Sequence, residues 1–189
     1  MFFDQDLKVM YEDDISMAAS YTPIKDRIVL NSLSYTMYAL SILMKKLFNG
    51  GNPEVEDKIK KLFNFIVINQ CNDGSWYYSP EGASFIDCFH SCIIIKNIIK
   101  TKQIIALNKA DYCISSGYQF LKIKCFDDKK RLFRRFAIAN KPGIIKYDLY
   151  DNAEMLNLCY LCNDTELAEI LLASINLKFC KDDRIYSQI

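Results

Sequence analysis

The sequence predicts an all-α fold in which helical hairpins curve into half of an α/α toroid of about six helices. Six segments carry the helical spacing of apolar residues, roughly 27–48, 54–70, 85–101, 107–123, 149–162 and 164–179, and alternating strand patterns are nearly absent. The connections fall into short links and long loops, so the helices pair. Three hairpin ends also echo one another: FIVINQCNDGSW, FLKIKCFDDKKRLF and INLKFCKDDRIY each run from an apolar helix end through a Cys to an Asp two residues on, then to an aromatic. The cysteines are Cys71, Cys125 and Cys180, spaced by 54 and 55 residues. Self-similarity at a fixed period marks stacked units, each unable to bury its apolar face alone.

The elements follow in order. The first segment stops at Asn49-Gly50-Gly51, and the second starts at Asn52-Pro53, with Glu54, Glu56 and Asp57 placed to meet the positive end of a helix dipole. Residues 54–70 form one apolar stripe through Val55, Ile59, Leu62, Phe63 and Ile66 opposite a lysine-rich face, which suits an outer helix. Residues 85–101 are apolar almost all round, as an inner helix is. Asn163-Asp164-Thr165-Glu166 supplies capping residues for a short link between the last two helices.

Bulk composition narrows the function classes. A chain of 189 residues, 51% hydrophobic with six Gly and four Pro, is a folded single domain over 1–189. A net charge of +1 gives no global commitment to nucleic acid or an anionic membrane. The apolar run CIIIKNII is too short for a membrane span, and MFFDQDLKVMYEDD is not a secretory signal. Eight Cys without an export signal read as reduced thiols in a cytoplasm. Cys88, His90 and Cys92 do not make a metal site: on a helix His90 points about 160–200° away from both thiols. Cys159 and Cys162 lack a second pair at zinc-ribbon spacing. No metal and no cofactor are expected.

Gln70, Gly74 and Trp76, following Phe65-Ile66, resemble the QW motif of terpene cyclases, whose cores are α/α toroids. In that reading Gln70 ties backbone at an outer helix's end, Trp76 packs over the turn and Gly74 permits the bend. A longer set of segments, SYTP (20–23), QCNDGSWYY (70–78), FIDCFHS (85–91) and YDLYDNAE (147–154), resembles a bacterial family of prenyltransferase-like α/α-toroid proteins encoded beside surface-polysaccharide biosynthesis genes. The similarity spans most of the chain. Members have a longer N-terminal half, so the resemblance implies the C-terminal half of a longer ring. Independently, three hairpins are half of a six-hairpin ring and leave apolar side chains at each open end, so a homodimer or a partner that supplies the other half is expected.

The two long connections, 71–85 and 124–148, lie at the same end of such a ring, where they surround a mouth. Asp87 and His90, spaced i, i+3, suit a carboxylate-oriented general base. Asp151 and Glu154 repeat that spacing, with Asp148 just before. These four, Asp87, His90, Asp151 and Glu154, are the catalytic candidates. Tyr21, Trp76, Tyr77, Tyr147, Asp148, Arg134 and Arg135 are the substrate-binding candidates. Each has a plainer reading as a cap, as packing or as a solvated loop, and Trp76 suits packing best. The run KKRLFRRF (129–136) would neutralise a diphosphate, a nucleotide-sugar or a uronic-acid polymer.

Together these point to a protein of polysaccharide assembly that binds or modifies a saccharide or its activated precursor. Whether it is an enzyme is left open at this level. Two alternatives stand beside it. One is a terpene-cyclase or prenyltransferase-like enzyme, although EDD at 12–14 and FDD at 126–128 complete neither acid signature of those enzymes. The other is a non-catalytic truncated repeat scaffold.

Overall fold

The computed structural model describes residues 8–24, 27–49, 51–81, 84–138, 146–181 and 184–189. Among these residues the chain forms six helices: α1 (Leu30–Leu47), α2 (Pro53–Ile68), α3 (Cys88–Lys102), α4 (Ala110–Lys124), α5 (Leu149–Leu161) and α6 (Thr165–Phe179). Consecutive helices pack as the hairpins α1–α2, α3–α4 and α5–α6, and α3 packs against both α1 and α5. The inner layer is thus α1, α3 and α5, with α2, α4 and α6 outside. This is half of an α/α toroid, as the segment pattern predicts. No helix among the described residues is long and apolar enough to cross a membrane.

Four of these six helices begin on a capping side chain. Asn52 accepts the Val55 N–H at 3.1 Å ahead of Pro53, and Glu54 and Glu56 occupy the first turn of α2. Asp87, Asp148 and Asp164 cap α3, α5 and α6. Between α5 and α6, Asn163 takes φ 57°, while the Asp164 N–H reaches Cys159 O and the Asn163 N–H reaches Tyr160 O. That pair of bonds is a Schellman ending with Asn in the left-handed position. At the end of α1, Asn49 takes φ 49°, and Gly50 lies outside the described residues.

The 54- and 55-residue echo has a structural cause. After α2 the Asp73 carboxylate accepts both the Ser75 N–H and hydroxyl. After α4 the Asp127 carboxylate accepts the N–H groups of Lys129 and Lys130. An Asp two residues past the cysteine therefore closes an Asx turn that reverses the chain. The third, Asp182, lies outside the described residues, but the chain does reverse there through β7 (Cys180–Lys181) and β8 (Arg184–Ile185).

Short antiparallel pairs, which alternation does not reveal, complete the fold. β1 (Val9–Glu12) pairs with β2 (Met17–Ala19), and β4 (Phe126–Asp127) with β5 (Leu132–Phe133). β3 (Ile86–Asp87) pairs with β6 (Phe136–Ile138). Phe85, Ile86 and Asp87, expected in a helix, are therefore extended: Asp87 sits at φ −124°, ψ 162° so that its side chain caps the helix it precedes.

Gln70 and Trp76 fasten two hairpins together. The Gln70 amide donates to Gly74 O and, across to α4, to Cys113 O, each at 3.0 Å. The Trp76 indole N–H donates to Ile66 O at 3.0 Å, and its ring lies against Gly117. With Trp76 only 2% exposed, the ring packs and offers no stacking surface to a ligand.

Five of the eight cysteines are buried and pack as small hydrophobes. Burial pushes the Cys113 thiol up to about 12. Among the described residues no group of three His, Cys, Asp or Glu side chains is arranged to hold a metal ion.

Candidate functional site

The starts of α3 and α5 lie side by side, and each is opened by an aspartate. Asp87, nearly buried, uses one carboxylate oxygen to cap the His90 N–H at 2.7 Å and the other to meet His90 Nδ1 at 2.6 Å. A carboxylate at Nδ1 makes that nitrogen the donor and leaves Nε2 as the basic atom. Ser91 Oγ donates to Asp87 O at 2.7 Å, which pins the cap further. Tyr78 meets the imidazole edge-on at 4.8 Å between centroids and stacks on Phe85 at 4.7 Å.

On α5, Asp148 caps the Tyr150 N–H at 2.8 Å and lies 3.5 Å from Arg135 Nη1. Asp151 is 2% exposed and accepts the Phe89 N–H at 3.0 Å, so it ties the first turn of α5 to that of α3. Among the described residues that is the only hydrogen bond recorded for its carboxylate. Burial, and then the negative charges of Asp87 and Asp148, push the Asp151 carboxyl up to about 7; Arg135 and the Phe89 N–H pull the other way.

These groups share a cavity of about 240 Å³ lined by Asp87, His90, Arg135, Asp148 and Asp151, with walls of Phe85, Phe89, Phe136 and Tyr150. The β3–β6 pairing builds one wall, because Asp87 faces Phe136 in register and the Cys88 N–H donates to Arg135 O at 2.9 Å. The four aromatic walls were not among the sequence candidates. Phe89 and Tyr150 flank the capping acids in the first helical turns, which is the signal that could have found them; Phe136 arrives only through a pairing distant in sequence.

The other candidates sit elsewhere. Glu154 pairs with Lys96, deeper along the inner helices. Tyr147 is buried with its hydroxyl on Asp127 at 2.7 Å, and Arg134 reaches the same carboxylate at 2.8 Å, so this trio braces the β4–β5 turn. Tyr77 is half-buried and, with Trp76, borders a void of about 10 Å³ beside His90. Tyr21 is 45% exposed under the Arg27 guanidinium, 5.1 Å from its ring centroid. Of the basic side chains in the run 129–136, Arg135 alone lines the cavity.

No known protein family and no curated protein matches the sequence. Solved structures do match the fold. A sugar epimerase from a ruminal bacterium superposes with TM-score 0.71 at 12% identity over 100% of this chain and 55% of its own. An α-mannanase from Bacteroides thetaiotaomicron gives 0.71 at 13% identity over 95% and 54%. A D-mannose isomerase gives 0.66 at 13% identity over 85% and 44%. The chain spans about half the length of these structures. At such identity the likeness is one of fold: an α/α toroid of the kind these carbohydrate-processing enzymes use.

The perturbed Asp151 makes a stability prediction. In the fold this carboxyl holds its proton to about pH 7, whereas an unfolded Asp releases it near 3.9. A raised carboxyl pKa contributes stability that is complete below pH ~4 and is lost as pH rises through about 7. Asp151→Asn keeps an oxygen for the Phe89 N–H and removes the charge. We expect its denaturant midpoint to exceed the parent's at pH 8, with the gap narrowing as pH falls towards 4. Between about pH 4 and pH 7 the difference in the slope of unfolding free energy should approach about 1.4 kcal/mol per pH unit; parallel pH profiles would contradict the assignment.

Proposed function

We propose that the chain binds one sugar ring in the cavity at the mouth of its half-ring, with His90 as the proton-transfer base and Asp87 as the group that orients it. One observation carries this: an imidazole held by a buried carboxylate opens onto a cavity that mixes carboxylates with aromatic walls. Sugar rings present hydroxyls to acceptors at their edges and C–H faces to aromatic rings, so both kinds of wall are used. The fold is the one on which a sugar epimerase, a mannose isomerase and an α-mannanase are built, and it supports the reading as analogy. The cavity, about 240 Å³, is somewhat smaller than the roughly 300–1,000 Å³ of drug-sized sites. It suits a monosaccharide unit, or the sugar end of an activated precursor. The setting of surface-polysaccharide assembly belongs to the same proposal through the resemblance, and a homodimer or partner half-ring through the apolar faces that a half-ring leaves at its open ends.

The test is a calorimetric titration with a panel of monosaccharides. It is paired with NMR detection of solvent deuterium entering the sugar carbon beside the carbonyl. His90→Ala should slow exchange by about 10²–10⁴-fold, the usual contribution of a positioned base, while binding weakens far less. Asp87→Asn should keep the cap, since Asn caps helices as well as Asp does, yet slow exchange. Exchange unaffected by His90→Ala removes the catalytic role, and a panel with no binder removes the site.

A further inference from the structure

The cavity carries a charge opposite to the one the basic run KKRLFRRF suggests. Arg134 is spent on Asp127 and Tyr147, and Lys129, Lys130 and Arg131 do not line the cavity. What reaches the cavity is Arg135 against three carboxylates: Asp87, which His90 meets; Asp148, which Arg135 meets at 3.5 Å; and Asp151. Asp151 makes no direct ion pair among the described residues, and Arg135 acts on it only at longer range. It is 98% buried by its 2% exposure, lines the cavity, and spends one oxygen on a backbone N–H. The rest of the lining is aromatic: Phe85, Phe89, Phe136 and Tyr150. Carboxylates and aromatic rings that line one cavity suit an organic cation, since both the charge and the ring faces attract an ammonium group.

We propose that the sugar bound here bears a protonated amine, a hexosamine in its free-amine form, and that its ammonium group docks on Asp151. The inference rests on the saccharide reading above and deepens it by naming the substrate class. A uronic acid would set its carboxylate beside the carboxyl groups of Asp87, Asp148 and Asp151, with Arg135 already engaged by Asp148. A neutral sugar leaves Asp151 without a cation. An N-acetylated sugar has no charge at the nitrogen and adds bulk in a cavity of about 240 Å³. The ammonium would also favour the ionised form of Asp151, whose proton passes to solvent; the charged and titratable neighbours in the cavity are Asp87 just ahead of α3, His90 on α3, Arg135 beside β6, and Asp148 and Tyr150 at the start of α5.

The experiment is isothermal titration of the full chain at pH 6.5 with glucosamine, N-acetylglucosamine, glucose and glucuronate. It is repeated for glucosamine and glucose in two buffers of different ionisation enthalpy. Glucosamine should bind at least about tenfold more tightly than the other three, as a charge-assisted contact does, and should release up to one proton where glucose releases none. In Asp151→Asn the glucosamine-to-glucose ratio should collapse towards one. If that variant does not fold, the comparison of glucosamine with N-acetylglucosamine on the parent decides alone. Equal binding of glucosamine and glucose overturns the amine and keeps the sugar site. Tightest binding of glucuronate overturns it in favour of Arg135. No binding of any of the four overturns both readings.

Discussion

Gly74→Ala is expected to lower stability by about 3 kcal/mol, and Tm by about 6–12 °C at the 2–4 °C per kcal/mol usual for chains of this length. Gly74 sits at φ +92°, where a Cβ costs about 1–2 kcal/mol on backbone grounds. Overpacking adds to that. A Cβ built there lies 2.3 Å from Ser116 O and 2.6 Å from Ser116 C, both backbone atoms of α4. A helix backbone cannot rotate aside as a side chain can, so either the turn or α4 must move, at about 1–3 kcal/mol. The same glycine offers its carbonyl to Gln70, whose amide also holds Cys113 O, and displacement therefore loosens the tie between the first two hairpins. Gly51→Ala is the control. Its nearest neighbour is Phe48 O at 3.9 Å, so that substitution should stay within about 0.5 kcal/mol of the parent. Thermal and urea unfolding of the two variants measure the difference; a Gly74→Ala protein within 1 kcal/mol of the parent would mean that α4 yields freely there.

That glycine shows why much of the fold is legible in the sequence. Gln70, Gly74 and Trp76 act over a few residues, and their spacing is dictated by one turn. The same holds for Asn52-Pro53 before α2 and for Asp164 before α6, where a cap and its target are three residues apart. Inner and outer helices separate because α3 is apolar all round while α2 carries a single stripe. Local chemistry and hydrophobic period agree in these elements, and such agreement lets one sequence specify one fold.

The site is less legible, because its geometry depends on contacts between distant segments. Asp87 and His90 share a helical turn and could be read as a pair. Asp151 joins them only because α5 packs beside α3, 62 residues away from the Phe89 N–H that it accepts. The β3–β6 pairing is two residues long on one side, too short for alternation to reveal, yet it carries Arg135 and Phe136 to the cavity. Arg134 and Arg135 are equivalent in sequence and opposite in role: the β4–β5 turn claims the first through Asp127 and leaves the second to Asp148. Glu154 belongs to the same lesson, since its i, i+3 spacing from Asp151 cannot disclose a lysine on another helix.

Glu154→Ala is accordingly expected to cost about 3 kcal/mol and to leave sugar binding nearly intact. Lys96 and Glu154 face each other across the inner helices α3 and α5, with side chains 9% and 27% exposed. Removing the carboxylate strands an ammonium in a low-dielectric interior, a change that costs about 3–5 kcal/mol in buried pairs. The lower end applies because Glu154 keeps some contact with solvent. Replacing both partners with apolar residues of similar volume, Lys96→Met with Glu154→Leu, abolishes the desolvation cost as well as the attraction. The double variant should therefore stand within about 1 kcal/mol of the parent or above it. The single variants Lys96→Met and Glu154→Leu, with their double, form a thermodynamic cycle whose coupling energy isolates the pair from lost packing. A Glu154→Ala protein as stable as the parent but unable to bind sugar would return Glu154 to the mouth. A double variant weaker than either single one would mean that the pair's charges, and not merely its volume, hold α3 against α5.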